Sequence, residues 1–499
     1  MPFKVFKTFF VVLAIVSTTT LAFAQEPKNP ISEEEKFNSK NLLDETAMQA
    51  EMDFYAGNDH QAELIFKGLK EKKNHDVALW GNQLGSLYLA QGRKKEALEA
   101  FMDAYLVMNN LTAFKDLELK SVGLTSSEAT KAYKGDPYEK VFNSFYVGML
   151  LYADKDFENA LASFKNGILC DSDVGSDLYK SDVTILYLMA SRLESLQKNQ
   201  SMADDYFKQA MEAFILSCPN NRALVSQEQS LLDDLAKKQK ILLKKEAPYK
   251  NENSAESAKA KAKTKTAKLE KEIADLGTEI SKLETEIKVL TDKIQENGRK
   301  LVTSSLRDIV NLNNNTLLCI ETGKGPLKYQ SGNFGEKAIF TIKPYQATGF
   351  SVTVDNFTRI DVGSFLKNND IYYQASTRGG RVMDSILKGK AEFKQTTADV
   401  SEVISVASQV YDPYGVMSLF SLATKAVSNA TNPYADARHW SLIPAEIQMI
   451  PLHLNAGTHK FQIDSYDSKG KLIESVKFDL EIKDEVSNVI FKRFRGKIS

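Results

Sequence analysis

WGNQLGSLYLAQGRKKEALEAFMDAY, residues 80–105, is the stretch whose reading decides the fold. Apolar residues recur at three- and four-residue spacing on both sides of Gly92, which predicts two helices joined by a reversal. Ala97, Phe101 and Ala104 stand at i, i+4 and i+7, on one face of the second helix, while Gly85 and Tyr88 lie on the facing side of the first. Small residues at such a crossing let the backbones approach, and aromatic rings fill the groove that remains.

The same arrangement recurs along the chain. Gly57 and Ala62–Phe66 return as Gly92 and Ala97–Phe101, an interval of 35 residues. A third unit places Gly148, Leu151, Phe157, Ala160, Phe164 and Gly167 in the same relative positions, and a fourth uses Ala203, Phe207 and Ala210. The later intervals, Ala97 to Ala160 and Ala160 to Ala203, are 63 and 43 residues, so the array is irregular and carries an insertion around Asn109 to Asp136. A period of about 34 residues resembles that of the tetratricopeptide repeat superfamily. The resemblance is closest at residues 80–105 and extends over 47–215. It implies a helical solenoid whose concave surface holds peptides or partner domains. The basic clamp of the chaperone-binding subgroup is not recognisable, so no particular ligand is implied.

Residues 222–246 continue as a helix, with Leu224, Leu231, Leu235 and Leu242 on one stripe and Lys237, Lys238, Lys240, Lys244 and Lys245 on a basic face. A polar linker is expected over 248–257. Then Leu269, Ile273, Leu276, Ile280, Leu283, Ile287, Leu290 and Ile294 alternate spacings of four and three, a coiled-coil seam with Ile at a and Leu at d. That choice suits a parallel dimer, and the seam allows self-association. The flanks favour the other arrangement, an antiparallel hairpin: Glu272, Glu279 and Glu286 make every g position acidic, Glu279 would face Glu284 across a parallel pair, and the lysines lie in the preceding helix.

From Thr316 the period changes to two. Residues 316–321, 338–342, 350–354, 447–454, 459–466 and 475–482 read as strands. Gly323-Lys-Gly-Pro326, Asn455-Ala-Gly457 and Asp467-Ser-Lys-Gly470 mark turns, the last two expected to join three strands into one meander. Helical patterns at 380–394 and 400–428 interrupt the strands. The fold class that follows is multidomain, α then α+β: a tetratricopeptide-like α-solenoid (42–221), a coiled coil or helical hairpin (222–300), and a C-terminal β-sandwich-like domain with a helical insertion (301–499).

The first residues carry an address. Lys4 and Lys7 precede the apolar run Phe9 to Val16, and Ala22-Phe23-Ala24 offers the small residues of a signal-peptidase site, so residues 1–24 are expected to be removed before Gln25. Cleavage would take the formal charge from -1 to -3 by removing two lysines, and residues 25–41 read as a flexible lead-in. With 64 basic residues against 65 acidic, no global field draws the chain to nucleic acid.

Cys170, Cys218 and Cys319 cannot all pair; a Cys170–Cys218 bridge is open to the chain but not indicated by the spacing, and buried free thiols are the preferred reading. His60, His75, His439, His453 and His459 make no metal spacing with any cysteine, and His453 and His459 are expected at the surface. Glu321–Lys328 holds the glycines and lysine of a phosphate loop without its spacing, and Pro326 removes an amide. It reads as a strand-end turn. Arg378-Gly-Gly-Arg381 reads as a helix cap. No catalytic, metal or cofactor-binding residue is assigned, and the expectation is a non-enzyme.

The segment Tyr434–Gln448, together with Gly135-Asp-Pro-Tyr-Glu-Lys140 and Gly323-Lys-Gly-Pro326, resembles an uncharacterised family of bacterial envelope proteins that join tetratricopeptide-like repeats to a C-terminal β domain. Its members are usually lipoproteins, and no cysteine here stands at the cleavage site to bear a lipid. Within that segment Asp436 and Arg438 are placed to pair, and Trp440 and Pro444 to pin the chain before the last strands. The functional expectation is an exported periplasmic adaptor or scaffold that binds protein partners through its repeats and docks to an envelope complex, which could be membrane-associated. The alternative is a peptidoglycan- or carbohydrate-binding protein with Tyr372, Tyr373, Trp440 or Tyr466 as stacking platforms.

Overall fold

The computed structural model describes residues 45–72, 74–109, 132–172, 183–217, 221–252, 261–301, 305–331, 337–341, 347, 349–356, 358–362, 371–376 and 435–495. The expected leader, the insertion at 110–131, the helical patterns at 380–394 and 400–428, Cys218 and Arg378–Arg381 lie outside these residues.

Four helical hairpins come first: α1 (Glu45–Ala56) with α2 (Asp59–Lys72), α3 (Val77–Ala90) with α4 (Lys94–Asn109), α5 (Pro137–Ala153) with α6 (Phe157–Ser172), and α7 (Thr184–Leu196) with α8 (Gln200–Ser217). Each turns in the same way. Gly57, Gly92, Lys155 and Lys198 adopt left-handed φ values of 85, 77, 67 and 65°. The next amide then returns five residues: Asn58 to Asp53, Arg93 to Tyr88, Asp156 to Leu151, Asn199 to Glu194. This closure satisfies carbonyls that a helix end leaves open. Within the hairpins the small residues stand where side chains would collide. A Cβ at Gly85 would sit 2.5 Å from the Phe101 ring, and one at Gly148 would sit 2.7 Å from Phe164.

The first helix of each later hairpin is largely apolar, and its residues are correspondingly buried: 138–150 of α5 apart from the half-buried Lys140, and 184–194 of α7 without exception. A helix buried on every side needs a second covering layer besides its hairpin partner. Here that layer is a sheet.

Strands β1 (Thr316–Thr322), β6 (Glu446–Leu452) and β9 (Asn488–Phe494) form a three-stranded sheet in the order β6-β1-β9. β1 runs antiparallel to β6, with Cys319 opposite Met449, and parallel to β9, with Cys319 opposite Phe491. All seven β1 residues are buried. Leu317, Cys319, Ile447, Met449 and Val489 join the helical core, while Leu318, Ile320, Ile450, Leu452 and Ile490 face a second sheet. That second sheet has the order β5-β4-β7-β8, with β4 (Gly349–Val354), β5 (Thr358–Val362), β7 (Gly457–Tyr466) and β8 (Leu472–Ile482) all antiparallel to their neighbours. A β2–β3 ribbon (Leu327–Ser331, Lys337–Thr341) and short helices α11 (Ser305–Val310) and α12 (Ile371–Ser376) complete this region.

The expected meander of three strands is corrected: β6 leaves β7 and pairs with β1 in the middle layer. Residues 446–450 of β6 are all buried, whereas β7 alternates. A strand covered on both faces belongs between layers, and the turn at Asn455–Gly457 changes sheets.

Helices α9 (Arg222–Glu252) and α10 (Lys261–Leu301) pair antiparallel. Lys238 Nζ lies 2.6 Å from Glu279, Lys245 pairs with Glu272, and Asn221 donates to Ile294 O at 3.0 Å. Two of the three acidic g positions, Glu272 and Glu279, thus meet the lysine face of the same chain, while Glu286 pairs with Lys282 of its own helix. α9 runs through 248–252, so the first half of the expected linker is helical; 253–260 lie outside the described residues. Ile215, Leu216, Leu224 and Ile294 seat the open end of the pair on α8.

Candidate functional site: a strap held across the helices

Residues 435–445 run without regular structure between the helical layer and the middle sheet, nearly every one buried. They are held as an extended peptide would be. Gln83 of α3 uses both ends of its amide, donating to Ser441 Oγ at 3.0 Å and accepting from Leu442 N at 3.0 Å. Glu139 of α5 accepts from Trp440 N at 2.5 Å, and Tyr55 of α1 donates to Ser441 O at 3.5 Å. Trp440 is fully buried; its indole N–H donates to Ser86 at 2.9 Å and its ring packs on Phe101 and Tyr146 at 5.6 and 5.7 Å.

Charge is concentrated beneath the strap. Arg438 donates to Asp436 and, at 2.5 Å, to Asp76 just before α3. Lys328 of β2 pairs with Asp136 at 2.7 Å, both side chains about 5% exposed. Burial acts to raise Asp436, and the hydrogen bonds and charge of Arg438 outweigh it, so this carboxyl sits below its ordinary range. Glu139 goes the other way: burial pushes it up against the Lys328 charge and the Tyr133 hydroxyl, which donates at 2.6 Å. Burial drives His439 down to about 4, with Lys328 and Lys324 acting in the same sense, while its Nδ1 lies 3.0 Å from Ala437 O.

Two further clamps join the layers. Tyr146 donates to Glu321 at 2.5 Å, and burial raises that carboxyl too. Arg192 of α7 spends its guanidinium on backbone, donating to Ile309, Asn311, Asn314 and Val486 carbonyls at 2.6–3.2 Å. The carbonyls after α11 carry the negative end of a helix, which suits a cation. Sequence reasoning did not single out Arg192, Gln83 or Glu139; for Arg192 and Gln83 the available signal was a polar residue inside an otherwise apolar helix, where it requires a partner, and for Glu139 it was the Asp136-x-x-Glu139 capping box at the start of α5.

The repeat residues fall within the hairpins: Ala62, Phe66, Gly85, Tyr88, Ala97, Phe101, Ala104, Gly148, Ala160 and Phe164 are buried, and Gly92 is exposed at its turn. In the α9–α10 pair Ile280 and Ile294 are buried, and Leu269, Ile273, Leu276, Leu283, Ile287 and Leu290 are half-buried. Trp440 cannot serve as an exposed stacking platform, because its ring is enclosed. Tyr372 and Tyr373 lie in α12 and Tyr466 at the end of β7, its hydroxyl 3.2 Å from Ser351. Glu321–Lys328 is the turn from β1 to β2, and Gly325 leaves no room for a Cβ, which would lie 2.3 Å from Ile443. Burial raises the Cys319 thiol, and Cys170 lies 3.6 Å from Asn109. His453 is exposed, and His459 is half-buried against Asp355 at 2.6 Å.

An open groove of about 510 Å³ between α6 and α8 is lined by Lys165, Ile168, Met202, Asp205, Tyr206, Lys208, Gln209 and Glu212. Its Lys165 is committed to Glu194 at 3.0 Å. Among the described residues no three metal-ligating side chains converge, and no helix is long and apolar enough to cross a membrane. No protein-family model matches the chain, and no curated protein matches it.

Proposed function

We propose that this chain is an exported, non-enzymatic scaffold of the bacterial envelope, built on tetratricopeptide-like hairpins, that binds protein partners and docks to an envelope complex. The observation that carries the reading is the α9–α10 pair: two helices of 31 and 41 residues seated at one end on α8, with Leu243 66% and Val289 62% exposed. Helices of that length reach about 45–60 Å at 1.5 Å per residue. Exposed apolar side chains on a charged rod suit a partner helix.

The four matching turns and the Gly85–Phe101 and Gly148–Phe164 contacts support the repeat assignment. The strap alters how such repeats would work. Residues 437–442 occupy the face of α1, α3 and α5 on which a repeat array would receive a peptide, so partner contact falls to the outer helices and to α9–α10. The basic region before Phe9 and the small residues before Gln25 support export.

Affinity capture from a native envelope fraction tests this. The expectation is a partner retained by the full chain and lost from a variant carrying Leu232→Ser, Ile241→Ser and Leu243→Ser, side chains 40–66% exposed. A chain that fractionates with the cytoplasm and retains nothing defeats the proposal. Co-sedimentation with cell-wall sacculi in the absence of protein partners would favour the carbohydrate-binding alternative.

A further inference from the structure

β8 is the last strand of its sheet, and among the described residues no strand pairs with its outer edge. At Leu472–Ile482 it is long for an edge strand, and an edge of this kind can take up another strand along residues 475–482. Its side chains alternate cleanly. Val476, Phe478 and Leu480 point into the space between the sheets, where Phe478 stacks on Phe461 at 5.2 Å. Ser475, Lys477, Asp479 and Glu481 face solvent.

We propose that a second copy of this chain pairs with β8 antiparallel through the same strand, centred on Phe478, so that the two four-stranded sheets become one. The pattern is complementary to itself in that register. In a two-fold antiparallel pair the residues directly opposite share a face of the sheet. With Phe478 on the axis, Lys477 lies opposite Asp479 of the second copy and Asp479 opposite its Lys477. Ser475 faces Glu481, a neutral pairing. On the inner face Val476 meets Leu480, and the two Phe478 rings meet at the centre, closing the open flank of each sandwich.

Each neighbouring register opposes a pair of like charges at its centre. Centring the pair on Lys477 sets the two lysines face to face; centring it on Asp479 opposes the two aspartates while placing each Lys477 opposite Glu481 of the second copy. Charges on an edge usually keep strands apart. Of these three registers, the one centred on Phe478 alone pairs Lys477 with Asp479 and opposes no like charges.

Sedimentation velocity of the full chain over a range of concentrations reads the result directly. The expected behaviour is a reversible dimer that weakens as salt is raised, because both ion pairs sit at the surface. Lys477→Glu and Asp479→Lys should each weaken it at least about tenfold by opposing like charges twice. Combining them reverses both signs and should restore the affinity to within about threefold of the original. Both substituted side chains face solvent, and unchanged melting of each variant shows that folding is intact. A chain monomeric throughout overturns the proposal. So does a dimer indifferent to the single reversals, or one that the combined variant fails to restore.

Discussion

His439 is enclosed by the strap and the helices, with Lys328 and Lys324 adding positive charge, and its imidazole is held down to about 4. As pH falls below the ordinary histidine range near 6.5, the unfolded chain takes up a proton that the folded chain refuses. The contribution of His439 to stability therefore falls from about pH 6.5 to about pH 4 and levels below that, a loss of about 3 kcal/mol from this group. Glu139 and Glu321 act in the opposite sense, because burial raises them in the folded state. Their contribution is present at low pH and is lost as pH rises from the ordinary carboxylate range through their raised values. His439→Asn keeps a donor for Ala437 O and removes the titration. Urea unfolding of both proteins from pH 7 to 4 should give profiles that diverge, the variant losing about 3 kcal/mol less; parallel profiles would show that His439 is not the proton acceptor. Arg192 offers a second test. Arg192→Met strips four carbonyls of a charged donor and should cost about 3 kcal/mol in the same measurement.

The hairpin turns show what sequence can and cannot disclose. Gly57 and Gly92 are legible because glycine is the usual residue in a left-handed turn. Lys155 and Lys198 hold the same place with φ values of 67 and 65° and leave no such mark. Lys198→Gly should stabilise the protein by roughly 0.5 kcal/mol, as relief of left-handed strain outweighs the added freedom of the unfolded chain. Gly92→Ala should cost roughly 1 kcal/mol for the converse reason. Thermal unfolding of both variants checks the pair, and a destabilised Lys198→Gly would contradict this account of the turn. Strands were legible where alternation was clean, as in β7. β9 escaped because Lys492 and Arg493 stand in succession within it, and β2 and β5 because Lys328, Gln330, Arg359 and Asp361 leave few apolar residues in strands of five. The burial of α3, α5 and α7 on every side was written in their composition; that the covering layer would be this chain's own sheet was not, since nothing local encodes which distant segment fills a face. The strap was legible only as a dense run of Trp, Arg, His and Pro.

The helices and the middle sheet share one continuous apolar core, which runs from Ala47 through Phe101 and Tyr146 to Trp440, Cys319, Met449 and Val489. Independent domains would bury separate cores and unfold separately. A shared core makes damage on one side appear on the other, and the two tryptophans of the chain allow this to be measured. Trp80 lies in α3, and Trp440 in the strap. In a Trp440→Phe background the fluorescence of Trp80 reports the helical side alone. Ile320 is buried between the two sheets, on the face of β1 turned away from the helices. Ile320→Ala leaves a cavity there and should cost about 2–5 kcal/mol. If the layers fold as one unit, that loss moves the denaturant midpoint seen by Trp80 by the same free energy, although no atom near Trp80 has changed. A Trp80 transition left in place by Ile320→Ala would mean that the helical hairpins hold their inner faces without the sheet, and that the strap closes over an already stable surface.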